Sequence, residues 1–223
     1  MSAIDTATPA QSLYRVSTLA VGFARMWRAW KILIPVIIIN AMLQALLLLP
    51  NVLPYLSLAF IIVALLSLLI LVKAYNFVAV AMLQAAVGPV DWRSVYANLW
   101  RRYFVLLAWS VGLLIVILIG LSLYVVPGLI VIAVAPYLLL AVVDGKRNPL
   151  AVNFRTIGAR WGRWLITVVI MGVLCFFLWF LSGLNGFFVT GAPAALIGWL
   201  IIGFIASWFT CAWALVYRSV NPA

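Results

Sequence analysis

The stretch DGKRNPLAVNFRTIGARWGRW, Asp144 to Trp164, is the most polar part of a chain that is otherwise almost wholly apolar. Read as a helix from Pro149, its large apolar residues Leu150, Phe154, Ile157, Trp161 and Trp164 follow a 4-3-4-3 spacing. At 100° per residue that spacing keeps them within about 40° of one line. Arg155 and Arg163 fall on the opposite side. Asn148 and Pro149 suit its start, because Asn accepts an orphan amide bond and Pro lacks the amide that a first turn leaves unused. The stretch predicts a basic helix lying on a membrane surface. With two more of its kind it organises the chain as a series of membrane-crossing hairpins.

Of 223 residues 69% are hydrophobic and 8% charged, with a mean hydropathy of +1.29, whereas soluble domains carry about 25% charged residues. A polytopic membrane protein is expected. Fourteen Lys and Arg stand against Asp5, Asp91 and Asp144, a net charge of +11 that in a soluble protein would suggest nucleic acid. Beside apolar segments the expected anionic partner is lipid headgroup, so no nucleic acid is expected. The candidate headgroup contacts are Arg25, Arg28, Lys31, Arg101, Arg102, Arg155, Arg160 and Arg163. Cys175 and Cys211 lie in apolar runs with no nearby His or Cys, and read as small core residues.

Residues 1–11 are small and polar and predict a mobile tail, leaving 12–221 as one transmembrane domain. From Ser12 to Lys31 the positions Val16, Leu19, Phe23, Met26 and Trp30 step 3-4-3-4, a first surface helix with Ser17, Arg25, Arg28 and Lys31 on its other face. A signal peptide fits less well, since no small-residue cleavage site follows the apolar run. Ile32 to Leu49 and Tyr55 to Val72 are the first two crossings, joined at Pro50, Asn51 and Pro54. Apolar character then continues through Phe77 to Val87, an overshoot that something must cover, until Gly88 and Pro89 end it. Asp91 to Tyr103 is the second surface helix, striped by Trp92, Tyr96, Leu99 and Tyr103. Phe104 to Leu123 and Leu129 to Val143 follow, then the opening helix, then Leu165 to Leu181 and Ala194 to Tyr217.

The fold class is therefore all-α: six transmembrane helices as three hairpins, each preceded by an amphipathic interfacial helix. The outer turns, Pro50 to Pro54, Tyr124 to Gly128 and Ser182 to Pro193, hold no charged residue, so the positive-inside rule puts both termini in the cytoplasm. The stripes superpose as Leu19, Phe23, Met26, Trp30 on Trp92, Tyr96, Leu99, Tyr103 and on Leu150, Phe154, Ile157, Trp161. That suggests a threefold repeat over 12–88, 89–147 and 148–218. Aromatic pairs three apart, Trp27 with Trp30, Trp100 with Tyr103 and Trp161 with Trp164, give the same shift of 73 for the first step and differ by three residues for the second.

The run from Val126 to Trp164 resembles a loose superfamily of bacterial six-helix membrane proteins, which includes the membrane domain attached to some glycerophosphodiester phosphodiesterases. The matching features are Pro127 and Gly128 before a crossing, Pro136 within it, Asp144 with Gly145 at its end, Pro149, and a basic aromatic segment before the next crossing. Thr156 stands where members often have Ser. The resemblance implies a fold and a bacterial inner membrane, and carries over no catalytic residue; the 223 residues contain no phosphodiesterase domain.

General acid–base or metal chemistry needs clustered titratable side chains, and this chain has no His and no Glu. No catalytic, cofactor or metal residue is proposed, and an enzyme is not expected. Asn40 and Gln44, four apart on the first crossing, form a candidate intramembrane polar site or an interhelical hydrogen bond. Pro54 to Lys73 is 19 residues and Pro127 to Asp144 is 17, so equal depth makes Lys73 and Asp144 a candidate ion pair, against a snorkelling Lys73. These readings favour a non-enzymatic scaffold or accessory subunit, with a membrane-protein partner and anionic lipid. The alternative is a small transporter or lipid-handling protein with a site between the hairpins.

Overall fold

A chain this apolar can satisfy its amides only internally, and in a bilayer that means helices or a closed barrel. The computed structural model describes residues 18–47, 57–123, 125–185 and 191–222, and these form ten α-helices and no strand. In order they are α1 (Thr18–Met26), α2 (Trp30–Leu46), α3 (Leu58–Ala85), α4 (Trp92–Arg101), α5 (Tyr103–Leu123), α6 (Val125–Val134), α7 (Leu138–Val143), α8 (Pro149–Ala159), α9 (Trp161–Asn185) and α10 (Ala192–Val220). Five segments are long and apolar enough to cross a membrane: Thr18–Leu46, Leu58–Ala85, Tyr103–Leu123, Trp161–Leu178 and Ala192–Val220. The 1–11 tail, Val16 of the first stripe and Ser17 of its other face, the turn at Pro50 to Pro54, Tyr124 and residues 186–190 of the expected last outer loop lie outside the described residues.

Local chemistry sets the helix ends. Ser57 accepts the Phe60 amide at 3.2 Å, Asp91 the Ser94 amide at 3.1 Å and Asn148 the Ala151 amide at 3.1 Å, each relieving an orphan donor. Asn148 and Pro149 thus open α8 as their residue types predict. At the end of α7 Gly145 takes φ 75°, and the Gly145 and Lys146 amides return to Val142 O and Ala141 O at 3.0 Å each. Only glycine adopts that left-handed closure at no steric cost.

Several element boundaries and faces differ from expectation. The first surface helix is not separate: α1 runs through a single 3-10 turn at Trp27–Ala29 into α2 and packs one side, with Gly22 and Met26 buried, against α10. Gly22 meets the Ala212 backbone of α10, where an added Cβ would stand 3.0 Å away, and Trp208 Nε1 donates to Leu19 O at 2.8 Å. On α4 the buried residues are Val95 and Leu99, while Trp92 and Tyr96 face outward. On α8 the buried side is Pro149, Asn153 and Thr156, with Leu150 and Phe154 exposed. These helices lie between protein and lipid, so an apolar stripe has two possible hosts and need not face the protein. The expected outer loop from Ser182 begins later, since α9 continues to Asn185. Cys211 is buried as expected; Cys175 is exposed.

The packed interior sits at the end of the molecule that carries the basic residues. Residues 78–83 of α3, 137–142 at α7 and 209–217 of α10 are buried without interruption, together with Met26, Ala29 and Leu33. Most of the overshoot, Val78 to Ala86, is therefore covered by this chain's own helices, while Val87 at its end is exposed. Toward the other end, α3 exposes Leu58, Ile62 and Leu65, and α9 exposes Val169, Val173 and Phe176. At α5 and α6 close approach persists: a Cβ on Gly120 would lie 2.7 Å from the Gly128 amide nitrogen, so two backbones touch there.

Pro136 separates α6 from α7, because it cannot donate and its ring excludes the carbonyl four residues earlier. The groups freed by the break are taken up by side chains from α8 and α9. Trp164 Nε1 donates to Ala133 O at 2.7 Å, Asn153 Nδ2 donates to Val134 O at 2.8 Å, and Asn153 Oδ1 accepts the Tyr137 amide at 3.0 Å. Burial of the polar side of α8 follows from this demand.

Candidate functional site

The polar chemistry concentrates where α3, α7 and α10 end. Asp144 is engaged on both oxygens: Oδ1 lies 2.8 Å from Arg218 Nη1, while Oδ2 lies 3.1 Å from Lys146 Nζ and accepts the Tyr217 hydroxyl at 2.9 Å. The Arg218 approach is an ion pair outside hydrogen-bonding angles, and its Nε has no partner among the described residues. Burial alone would raise the Asp144 carboxyl. The Lys146 and Arg218 cations and the Tyr217 hydroxyl outweigh it and hold the carboxyl below the usual carboxylate range.

The expected pair of Lys73 with Asp144 is therefore corrected. Lys73 Nζ lies 5.9 Å from the centroid of the Tyr103 ring, and Asp144 shares a cavity wall with Gln84, three turns further along α3. Counting residues from the turn prolines equates depth only for unbroken, equally tilted helices, and α6–α7 is broken. Tyr103 belongs to a run of adjacent rings, Phe77, Trp92, Tyr96, Trp100, Tyr103 and Phe104, with centroids 5.4–6.3 Å apart. Trp92, Tyr96 and Trp100 are about half exposed, as interfacial aromatics are.

The candidate headgroup residues divide by what they touch. Arg25 donates to Ala86 O, and Arg28 reaches Ala85 O at 3.5 Å, so both sit on the carbonyls that end α3. Arg155 Nη2 donates to Asn221 Oδ1 at 2.6 Å, and Asn221 Nδ2 donates to Thr156 Oγ1 at 3.0 Å, tying the end of α10 to α8. Arg160 closes α8, and Arg163 lies in the first turn of α9. Lys31 extends beside the Trp30 ring, 5.9 Å from its centroid. Arg101 and Arg102 line a cavity of about 510 Å³ with Gln84, Asn98, Asp144 and Arg218.

Asn40 and Gln44 separate in role. Gln44 Nε2 donates to Ser67 O at 3.0 Å and its Oε1 accepts the Ser67 hydroxyl at 2.5 Å, which is the interhelical bond between α2 and α3. Asn40 is buried with Oδ1 unpartnered, beside a void of about 60 Å³ shared with Tyr75 and Trp199. Among the described residues no group of three His, Cys, Asp or Glu side chains is placed to hold a metal ion.

Lys146, Asn153, Tyr217, Arg218 and Asn221 were not singled out from sequence. Asn153 had a signal, since it shares one helical face with Pro149 and Thr156 behind a proline-interrupted crossing; Tyr217, Arg218 and Asn221 act across the fold and had none. Five helices able to span a membrane, with a charged, packed end, define the class of multi-pass α-helical membrane proteins. Comparison with protein-family models, curated proteins and solved structures found no match to this chain.

Proposed function

We propose that this chain is a non-enzymatic integral protein of the bacterial inner membrane, a scaffold or accessory subunit in envelope or lipid-related work, with both termini in the cytoplasm. The observation that carries the reading is α9, whose one fully buried side chain among the described residues is Thr167 and which presents Val169, Val173, Phe176 and Phe180 outward. A span so little used within its own fold is available to a neighbouring span. On this proposal α6–α7 is the remaining crossing, giving six as three hairpins, and the Val126 to Trp164 resemblance concerns fold alone. Purifying the tagged chain in mild detergent, with mass spectrometry of what accompanies it, tests the reading. A stoichiometric membrane-protein partner supports it; a chain recovered alone overturns it.

A second reading, lipid handling between the hairpins, is favoured by an open apolar groove of about 580 Å³ between α5, α6 and α8, walled by Trp109, Val116, Ile130 and Phe154. Recovery of one lipid species in fixed stoichiometry, with no protein partner, selects it.

A further inference from the structure

We propose that the cavity between the end of α3, α4 and the Asp144 turn is a binding site for a phosphate-bearing anion, held by Arg101 and Arg102. The inference holds for either functional reading. The cavity lining carries three guanidiniums, Arg101, Arg102 and Arg218, and one carboxylate, Asp144. Asp144 is engaged by Arg218, Lys146 and Tyr217. Among the described residues Arg101 and Arg102 have neither an ion-pair nor a hydrogen-bonding partner, so two positive charges face the cavity uncompensated.

Their setting suits a tetrahedral oxyanion. The Arg102 guanidinium lies over Gly145, where an added Cβ would meet Nη1 at 1.9 Å, so the missing side chain makes room for it. Gln84 Oε1 accepts the Ser94 hydroxyl at 2.9 Å, which leaves its Nε2 as a donor on the cavity wall, and Asn98 lines the same wall. Planar guanidinium forks match phosphate oxygens in pairs, and neutral amides add directed donors without further charge. A volume of about 510 Å³ exceeds a bare phosphate and admits an attached glycerol or sugar, against apolar Leu83 and Val143.

Depth agrees. Gln84 lies about 39 Å along α3 from Leu58 at 1.5 Å per residue, beyond a hydrocarbon core of roughly 30 Å. The cavity therefore stands at headgroup level, where a phospholipid phosphodiester and a soluble phosphate ester are both within reach.

The test uses the full chain in detergent micelles. Calorimetric titration with glycerol 3-phosphate and native mass spectrometry with phosphatidylglycerol against phosphatidylcholine are run on the wild type and three variants. In Arg101→Gln with Arg102→Gln, both anions should bind roughly tenfold more weakly per arginine removed. Asn98→Asp, at an exposed position with little bearing on folding, should abolish binding by repulsion. Arg93→Gln with Arg147→Gln removes the same charge outside the cavity and should leave affinity within twofold. Displacement of glycerol 3-phosphate by phosphatidylglycerol identifies the lipid as the source, and binding of glycerol 3-phosphate undisturbed by the lipid identifies a soluble ester. Equal loss in both arginine pairs, unchanged binding in Asn98→Asp, or no binding by the wild type overturns the proposal.

Discussion

At the scale of single residues, Asp144 joins the turn after α7 to the last turn of α10. If Arg218 is its main partner, Asp144→Asn and Arg218→Gln should be non-additive in thermal stability, because removing one leaves the other charged in a partly buried site. Lys73→Met with Asp144→Asn should be additive, as the two groups do not meet. The pH dependence has a definite sign. A carboxyl held low in the folded state contributes stability that is fully present above its unfolded pKa, near 4, and is lost as pH falls through the lower folded value. Acid titration of wild type and Asp144→Asn in detergent should thus show the gap between their melting temperatures at neutral pH closing below about pH 4. A constant gap would remove the ion pair as its cause. Asp144 was legible in the sequence as the one acid near the membrane; Tyr217 and Arg218, 73 and 74 residues away, were not, because pairing across the fold leaves no local spacing.

At the scale of elements, the broken α6–α7 helix explains why α8 turns its polar side inward. Asn153 supplies both a donor and an acceptor to the break, so Asn153→Leu strands two buried backbone groups and should cost about 3 kcal/mol, while exposed Phe154→Ala should cost well under that. Chemical or thermal unfolding of the two variants in one detergent distinguishes them; similar losses would mean that α8 is held by its apolar stripe after all. Gly120→Val should cost about 1–3 kcal/mol by overpacking against the Gly128 backbone. Gly172→Val, where an added Cβ meets nothing within 4 Å, should be nearly neutral. The stripes were legible as periodicities, but their direction was not, since in a bilayer an apolar face is equally satisfied by lipid. The three helix junctions that the proposed repeat would align share a backbone geometry. Ala29, Arg102 and Arg160 leave helical geometry at φ/ψ of −100/12°, −123/18° and −138/37°, each just before the aromatic that starts the next helix, Trp30, Tyr103 or Trp161. The pairing of Trp161 with Trp164 does not share that register, because Trp164 is committed to the Pro136 break.

For the whole molecule the question is how many times the chain crosses, and the contacts at the basic end bear on it. Arg28 near Ala85, Arg102 over Gly145 and Arg218 beside Asp144 bring the region before α2, the end of α3, the start of α5, the end of α7 and the end of α10 to one side. On the proposed hairpin arrangement each long helix is matched by a return, and α6–α7, from Val125 to Val143, would be the return for α5. Its 19 residues reach about 28 Å if helical throughout, close to the core thickness of roughly 30 Å despite the break. With Arg25, Arg28, Arg101, Arg102, Lys146 and Arg218 on that side, the proposed arrangement is six crossings with the basic end in the cytoplasm. Single cysteines in a background of Cys175→Ser and Cys211→Ser test it in intact cells with a membrane-impermeant maleimide. Position 145 is unsuitable, because a side chain there displaces Arg102 and strains a left-handed turn. Exposed Arg147→Cys takes its place. Asn51→Cys, Val126→Cys and Ala192→Cys should label from outside, whereas Arg147→Cys and Ala223→Cys should label only after lysis. Labelling of Ala223→Cys but not Arg147→Cys from outside would give the second half of the chain an odd number of crossings and reject the hairpin arrangement. External labelling of Arg147→Cys and Ala223→Cys together, with the other three protected, would keep the hairpins and invert the molecule.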